Sequence, residues 1–393
     1  PTPESDVETD DEVDDVELSD EDATACDEND NDNDNDNDEA PSILSEGNDS
    51  IETDTEDTSC LPFAEELGVL TPSGTLFTQR PAQQPAIFGW WRDQQIASKL
   101  ATRGTESFDS LVLEPIAALC DQRGDEPVAI WSLSGGDPEF ELRLAHRLIE
   151  RGHTNFEIDC IDDRISWHAV RAAIAEDGPI GERIHSLPAS QSSLSDDKQY
   201  DAFIANGSLE QVADLPGMIT WIKAAFKQDS ILLLGASLGS CAAQANSDQV
   251  ETVGRIWSVM PDRYMHNHLT GVLQSDFEGT AAADDGVATA GPLSPNTTPL
   301  LALLVEAFSF EVFAPFGNLI NAFVGPEIGP NFDPGSETDR SFIERFAALD
   351  EAQIDSGTIV PIHLTAIARS TPVQDALILE NRSPERCLLN DEL

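Results

Sequence analysis

The chain has 393 residues and carries 74 Asp and Glu against 21 Lys and Arg, a formal charge of −53. So large an acid excess leaves no basic surface to neutralise phosphates, which argues against nucleic-acid partners and anionic membrane surfaces. No apolar run approaches the roughly 20 residues that cross a bilayer, and the opening residues are polar and acidic rather than a basic-then-apolar leader. A cytoplasmic location is expected, and the length allows two domains or one enlarged one.

Residues 1–60 hold 26 of the acids and no Lys or Arg, with an unbroken Asn-Asp alternation from Asn29 to Asp38. Such a segment cannot bury enough apolar surface to offset chain entropy, so it is read as a disordered acidic tail. It serves as a solvated tail or as a docking site for a basic partner or a divalent cation. The alternation lacks the Gly and terminal Glu of a calcium loop. Residues 61–393 retain 48 acids and all 21 bases, of which only Lys99, Lys198, Lys223 and Lys227 are lysines. This balance resembles halophilic proteins, from cells that hold molar salt. At about 1 M the screening length is ~3 Å, and self-repulsion becomes tolerable.

A linker is expected over 61–87, rich in Pro, Gln and Thr. A helical segment follows over 88–124, with helices at Trp90–Leu100 and Phe108–Cys120. Trp90, Trp91 and Arg92 open the first of these, where aromatic side chains pack a helix down or close over a ligand. The rhythm then alternates. Val128–Leu133 is a short apolar run typical of a buried strand. Glu139–Arg151 reads as a helix with Phe140, Leu144, Ala145 and Leu148 on one face, ended by Gly152. Phe156–Ile161 is a second strand, Ile165–Glu176 a helix, Tyr200–Ala205 a third strand, Leu215–Lys227 a helix and Ile231–Leu234 a fourth strand. Strands separated by helices of this length imply right-handed crossovers and a parallel sheet covered on both faces.

After residue 240 the pattern changes. Gly254–Gln274 reads as a helix and 275–298 as a long loop rich in Ala, Gly, Asp, Pro and Thr. Leu300–Phe308 is a helix, Phe310–Phe313 a strand, Arg340–Ile354 a helix and Val360–Ala368 a last strand. Residues 371–393 give no clear signal and are read as a C-terminal tail. The six cysteines, Cys26, Cys60, Cys120, Cys160, Cys241 and Cys387, form no Cys-x-x-Cys pair and are expected to be reduced and mostly buried. His266 and His268 have no Cys or acidic ligand set at metal spacing, so no metal is expected.

Chemistry is concentrated in Ser132-Leu133-Ser134-Gly135-Gly136-Asp137-Pro138, which joins the first strand to the first following helix. Small residues let a ligand approach the backbone, and a helix N-terminus adds unpaired N–H groups and the positive end of a dipole. Asp137 suits an N-cap and Pro138 the first helical position. The second strand runs into Asp162, 26 residues after Gly136, where a carboxylate can accept hydrogen bonds from ribose hydroxyls. The next strand ends in Asn206-Gly207-Ser208-Leu209, bringing small and polar groups to the same carboxyl edge, where open α/β sheets bind ligands.

In this order of parts, residues 88–370 resemble a class I S-adenosylmethionine-dependent methyltransferase. Tyr200 through Leu209 resembles the family's fourth strand with its following loop, and Ile231–Leu234 with Gly235 resembles its fifth. The blocks Ile256 to His268, Pro315 to Ile320 and Gly329 to Pro334 resemble a bacterial and archaeal subgroup. The resemblance implies an α/β fold: a Rossmann-like, mostly parallel seven-stranded sheet with helices on both faces. The methyltransferase-like domain would span 125–370, with an insertion at about 241–305. It implies S-adenosyl-L-methionine as cofactor, with Ser134, Gly135, Gly136, Asp137, Asp162 and Asn206 as cofactor-binding residues. It implies in-line methyl transfer to a small-molecule or glycan-like acceptor. The family loop has glycine at three alternate places, which here hold Ser134, Gly136 and Pro138; a Ser where φ turns positive and a Pro without an N–H both disfavour the usual loop geometry.

For a general base, His268 and His266 are candidates because unperturbed His titrates near neutrality. On a helix they would project about 200° apart, so at most one faces the pocket. Tyr264 and Asn267 are candidates to position substrate, and Asn318, Asn331 and Asp333 are candidate turn caps. Two alternatives stay open: a methyltransferase-fold scaffold that has lost catalysis, and a nicotinamide-dependent Rossmann enzyme, whose Gly-x-Gly-x-x-Gly is absent. The sequence leaves the acceptor, the atom methylated and the oligomeric state open.

Overall fold

The computed structural model describes residues 76–77, 84–133, 139–161, 178–190, 194, 197–238, 247–277, 300–379 and 381–388, all within the unit Ala64–Leu393. The acidic tail, the helix expected at Ile165–Glu176 and the site residues Ser134, Gly135, Gly136, Asp137 and Asp162 lie outside the described residues.

Among the described residues, α1 (Ala86–Lys99) and α2 (Phe108–Arg123) precede β1 (Val128–Leu133). Then come α3 (Phe140–Glu150), β2 (Phe156–Ile161), α4 (Gly178–Gly181), β3 (Ile184–Leu187), β4 (Tyr200–Asn206), α5 (Leu215–Ala224) and β5 (Phe226–Ser237). The later elements are α6 (Ser247–Trp257), a hairpin of β6 (His266–Asn267) and β7 (Val272–Leu273), α7 (Leu300–Ala307), β8 (Ser309–Phe316) and α8 (Asn321–Val324). The described chain ends with α9 (Glu337–Asp355), β9 (His363–Arg369), β10 (Leu377–Ile378) and α10 (Pro384–Leu388).

Among the described residues, eight strands form one sheet in the order β10-β8-β9-β5-β4-β1-β2-β3. Strands β1 to β5 pair in parallel, and β9 lies antiparallel between β5 and β8. The sheet is therefore Rossmann-like and mostly parallel, with β10 as an eighth, two-residue edge strand beside β8.

The two-residue period of the strands sorts their side chains into two cores. Trp131, Leu133, Phe203, Ala205, Leu232 and Leu234 pack with α5 and α7. Ile130, Ile158, Ala202, Ile204, Ile231 and Leu233 pack with α2 and α3 on the other face. A third cluster gathers α1, α6, the segment 316–332 and α9 around Trp91, Trp257, Phe323 and Phe346. Cys120, Cys160 and Cys387 are buried, as expected. No helix among the described residues is long and apolar enough to cross a membrane.

The bounds of β1 and β2 are those of the predicted apolar runs. Between β2 and β4 the structure adds β3, so the strand at Tyr200 is the fourth, as the family resemblance implies. The long helix expected over Gly254–Gln274 is corrected. The helix ends at Trp257, a 3-10 turn covers Asp262–Tyr264, and the β6–β7 hairpin follows. Pro261 has no N–H to continue a helix. Asn267 Oδ1 accepts the N–H groups of Leu269 and Thr270, both at 3.0 Å, and Gly271 takes φ +72°, which closes the hairpin turn.

At the amino edge, the buried Asp201 ties α2, β1 and β5 together. It accepts from Arg123 Nη2 at 2.5 Å, Lys227 Nζ at 2.6 Å and the Ala129 N–H at 2.9 Å. Asp201→Ala is expected to lower stability by about 2–4 kcal/mol, because it strands a buried N–H and two partly buried cations. Chemical denaturation in molar KCl checks this; a loss under about 0.5 kcal/mol, no more than a surface substitution costs, would contradict it.

Candidate functional site

The carboxyl edge of the sheet is set by strand register. Leu133 at the end of β1 is level with Ile161 on β2 and with Ala205 on β4. Strand order reverses between β1 and β4, the switch point beside which open α/β sheets hold ligands. The Ser208 hydroxyl, fully buried, donates to the Leu133 carbonyl at 2.8 Å and locks the exits of the two strands together. On the other side of β1, the buried Ser132 hydroxyl donates to Glu141 Oε1 at 2.7 Å, joining the strand to the first turn of α3.

Asn206 is the one predicted cofactor residue among those described. Its Oδ1 accepts from Arg92 Nη1 at 2.9 Å, and its Nδ2 makes no hydrogen bond among the described residues. The Arg92 guanidinium also lies 4.7 Å from the centre of the Phe108 ring, a cation–π contact. Gly235 stands level with Asn206 on β5. A Cβ there would come within 2.9 Å of Asn206 Oδ1 and 3.0 Å of Phe108, so only glycine leaves the Asn206 side chain where it is. Gly207, at φ +67°, turns the chain and donates its N–H to the Gly235 carbonyl at 2.6 Å.

Trp91 and Arg92 therefore do two different things. Trp91 is buried against Phe316 and His363, with ring centres 5.2 and 5.6 Å away. It fits because Gly317 has no side chain; a Cβ there would meet the indole at 2.4 Å. One residue on, Arg92 reaches the sheet edge.

His363 opens β9, level with Ser237 on β5 and Phe316 on β8. Its Nε2 lies 3.2 Å from Asn321 Oδ1. Burial, with a smaller push from Arg92, lowers its pKa to about 4, so the ring is neutral near pH 7. Glu210 and Asp350 are buried carboxyls that the sequence did not single out; burial pushes each up to about 7. Asp350 accepts the N–H groups of Asn318 and Leu319, each at 2.7 Å, and so caps the turn after β8. No sequence pattern marks either carboxyl, since both are defined by elements distant in the chain.

The candidate bases belong to the hairpin region. His266 and His268 are exposed, and their rings lie 5.0 Å apart, edge to face. The helical separation expected of them does not apply. His268 Nε2 lies 2.9 Å from Asn331 Oδ1. The Asn331 amide donates to the carbonyls of Tyr264 and His266 at 3.0 and 2.7 Å, which is a turn-holding role. Tyr264 is buried and stacked on Phe332 at 4.5 Å, and its hydroxyl donates to Asp339. Burial and that carboxylate raise its pKa. Asp333 accepts from the Gly335 N–H within its turn, whereas Asn318 donates to the Val360 carbonyl 42 residues on and ties the turn after β8 to the segment before β9. A groove of about 630 Å³ between α6 and α9, lined by Ile256, Phe342, Arg345 and Leu349, shares no residue with the strand ends.

No protein-family model and no curated protein matches the chain. Among solved structures it is similar to the carbon methyltransferase DszA, at 16% identity over 33% of this chain and 35% of that one, TM-score 0.28. It is also similar to coclaurine N-methyltransferase bound to N-methylheliamine and SAH, at 12% identity over 34% and 36%, TM-score 0.25. A third is the glycopeptide N-methyltransferase MtfA complexed with sinefungin, at 16% identity over 34% and 57%, TM-score 0.24. The chain spans about a third of the length of the first two and somewhat over half of the third. Likenesses this local say nothing of substrate, and the fold rests on the strand order itself. In that order the chain is a Rossmann-like α/β protein that resembles class I S-adenosylmethionine-dependent methyltransferases.

The buried His363 gives a pH test of this edge. Its pKa is lower folded than unfolded, so the unfolded chain binds the proton first as pH falls. The wild type should lose stability relative to His363→Phe between about pH 6.5 and 4, by on the order of 3 kcal/mol. Denaturation series across that range check this; a flat difference would contradict it.

Proposed function

We propose that the chain transfers the methyl group of S-adenosyl-L-methionine to a small-molecule or glycan-like acceptor. One observation carries this reading: Leu133, Ile161 and Ala205 are level across three neighbouring strands at the switch point. The next residues in sequence are Ser134, Asp162 and Asn206, the leading residues of the proposed cofactor set. The described part of this edge suits a nucleoside ligand. Asn206 is held by Arg92, its Nδ2 makes no hydrogen bond among the described residues, and Gly235 adds no side chain beside it. The antiparallel β9 next to β5 also departs from the 3-2-1-4-5-6 order of dinucleotide-binding sheets, which favours methyl transfer over nicotinamide chemistry.

When bound, the donor supplies a methyl group on a positively charged sulfur, already primed for displacement. The chain's own work is then mainly alignment. In this account Asp162 accepts from the ribose hydroxyls. Ser134, Gly135, Gly136 and Asp137 let the donor approach the start of α3. Asn206 fixes the donor at the end of β4, and α1 holds Asn206 in place through Arg92. The groups from β8, β9 and the segment after α6 shape the acceptor side.

Calorimetric titration of S-adenosylmethionine and S-adenosylhomocysteine into the full chain in molar KCl tests this. Binding is expected, and Asp162→Ala should weaken it roughly tenfold or more, the worth of a hydrogen bond to a charged group. A folded protein that ignores both ligands would overturn the reading and favour a fold that has outlived its cofactor, with Ser134 and Pro138 as the reason.

A further inference from the structure

One ionisable group at the carboxyl edge has no part in donor binding as described. Glu210 lies in the 3-10 turn Leu209–Gln211, four residues beyond Asn206. Its side chain is 9% exposed, and its Oε1 accepts the N–H of Ser237, the last residue of β5, at 3.3 Å. Ser237 is level with His363 on β9, and Asn206 is level with Gly235 two residues earlier on β5. Glu210, His363 and Asn206 thus gather around the end of one strand, with Arg92 over Asn206.

We propose that Glu210 takes the proton of the acceptor nucleophile during methyl transfer, a role that rests on the donor-binding reading above. In this step the nucleophile's lone pair forms a bond to the methyl carbon. The carbon–sulfur bond breaks, and its electron pair goes to sulfur. The proton leaves the nucleophile for the Glu210 carboxylate and passes later to water. The charges on sulfonium and carboxylate vanish together, so no net charge is created in the buried edge.

The protonation chemistry suits the role. Burial raises the Glu210 carboxyl to about 7, against hydrogen bonds from its own backbone and from Ser237 that lower it. A base of that strength is well matched to neutral pH. Among the described residues, His363 on β9, neutral at pH 7, and Arg92 on α1 also stand at this edge, and Asp137 and Asp162 belong to it in sequence. No spacing along the chain marks Glu210, because its contact with Ser237 joins residues 27 positions apart.

A cationic donor beside Glu210 should favour the carboxylate and expel its proton. Calorimetry on the full chain at pH 7, in two buffers of different ionisation heat, reads this release. Wild type is expected to release about half a proton more with S-adenosylmethionine than Glu210→Gln does, since a group titrating at about 7 is half ionised there. The excess should be absent with S-adenosylhomocysteine, whose sulfur is neutral. Glu210→Gln keeps an acceptor for Ser237, and Glu210→Asp should retain the release. Equal release from wild type and Glu210→Gln overturns the proposal. So does equal release with the two ligands on wild type, which needs no variant to fold. Failure of both ligands to bind sinks the donor reading itself and is thereby told apart from failure of Glu210 alone.

Discussion

The candidate site depends on β1 pairing in parallel with β2 on one side and β4 on the other. That pairing makes β1 the point where strand order reverses, and it brings three strand exits level. The buried bond from Ser208 to the Leu133 carbonyl then prevents the β4 exit from sliding relative to β1. Side chains at the exits are placed by this lock. Asn206 meets Arg92, Gly235 leaves room for both, and Glu210 folds back onto the end of β5.

The layer over this edge is assembled from distant parts of the chain. Helix α1 fills the notch above Gly317 with Trp91 and reaches Asn206 with Arg92. Below it, Glu351 of α9 accepts from Lys99 at 2.5 Å and Arg382 at 2.8 Å, while Arg382 also holds Asp355 at 2.6 Å. Arg382 is almost wholly buried. In a chain of charge −53, scarce cations are thus spent inside, joining α1, α9 and the segment before α10. Buried pairs of this kind escape the salt screening that dissolves surface pairs.

Much of the sheet was legible in the sequence, because β1, β2 and β4 are continuous apolar runs bounded by turns. Strand β3 was not: Ile184-His185-Ser186-Leu187 is half polar and forms the sheet edge, where one side meets solvent. The segment after Trp257 misled because its apolar and aromatic residues suit a helix face. Pro261, the Asn267 cap and Gly271 decide it as a hairpin, and those are local signals outweighed in the pattern. At the site, Asn206 was legible from its place after a strand. Arg92 was only half so, because its neighbour Trp91 packs while it reaches outward. Glu210, Asp350 and His363 owe their character to burial by other elements, and no spacing along the chain encodes that.

The most direct test is a crystal structure of the full chain grown with S-adenosylhomocysteine in high salt. The account predicts a ligand at the exits of β1, β2 and β4, its ribose on Asp162 and its neighbour Asn206 still held by Arg92. A well-ordered protein with that edge empty, or with the ligand seated in the groove between α6 and α9, would contradict it.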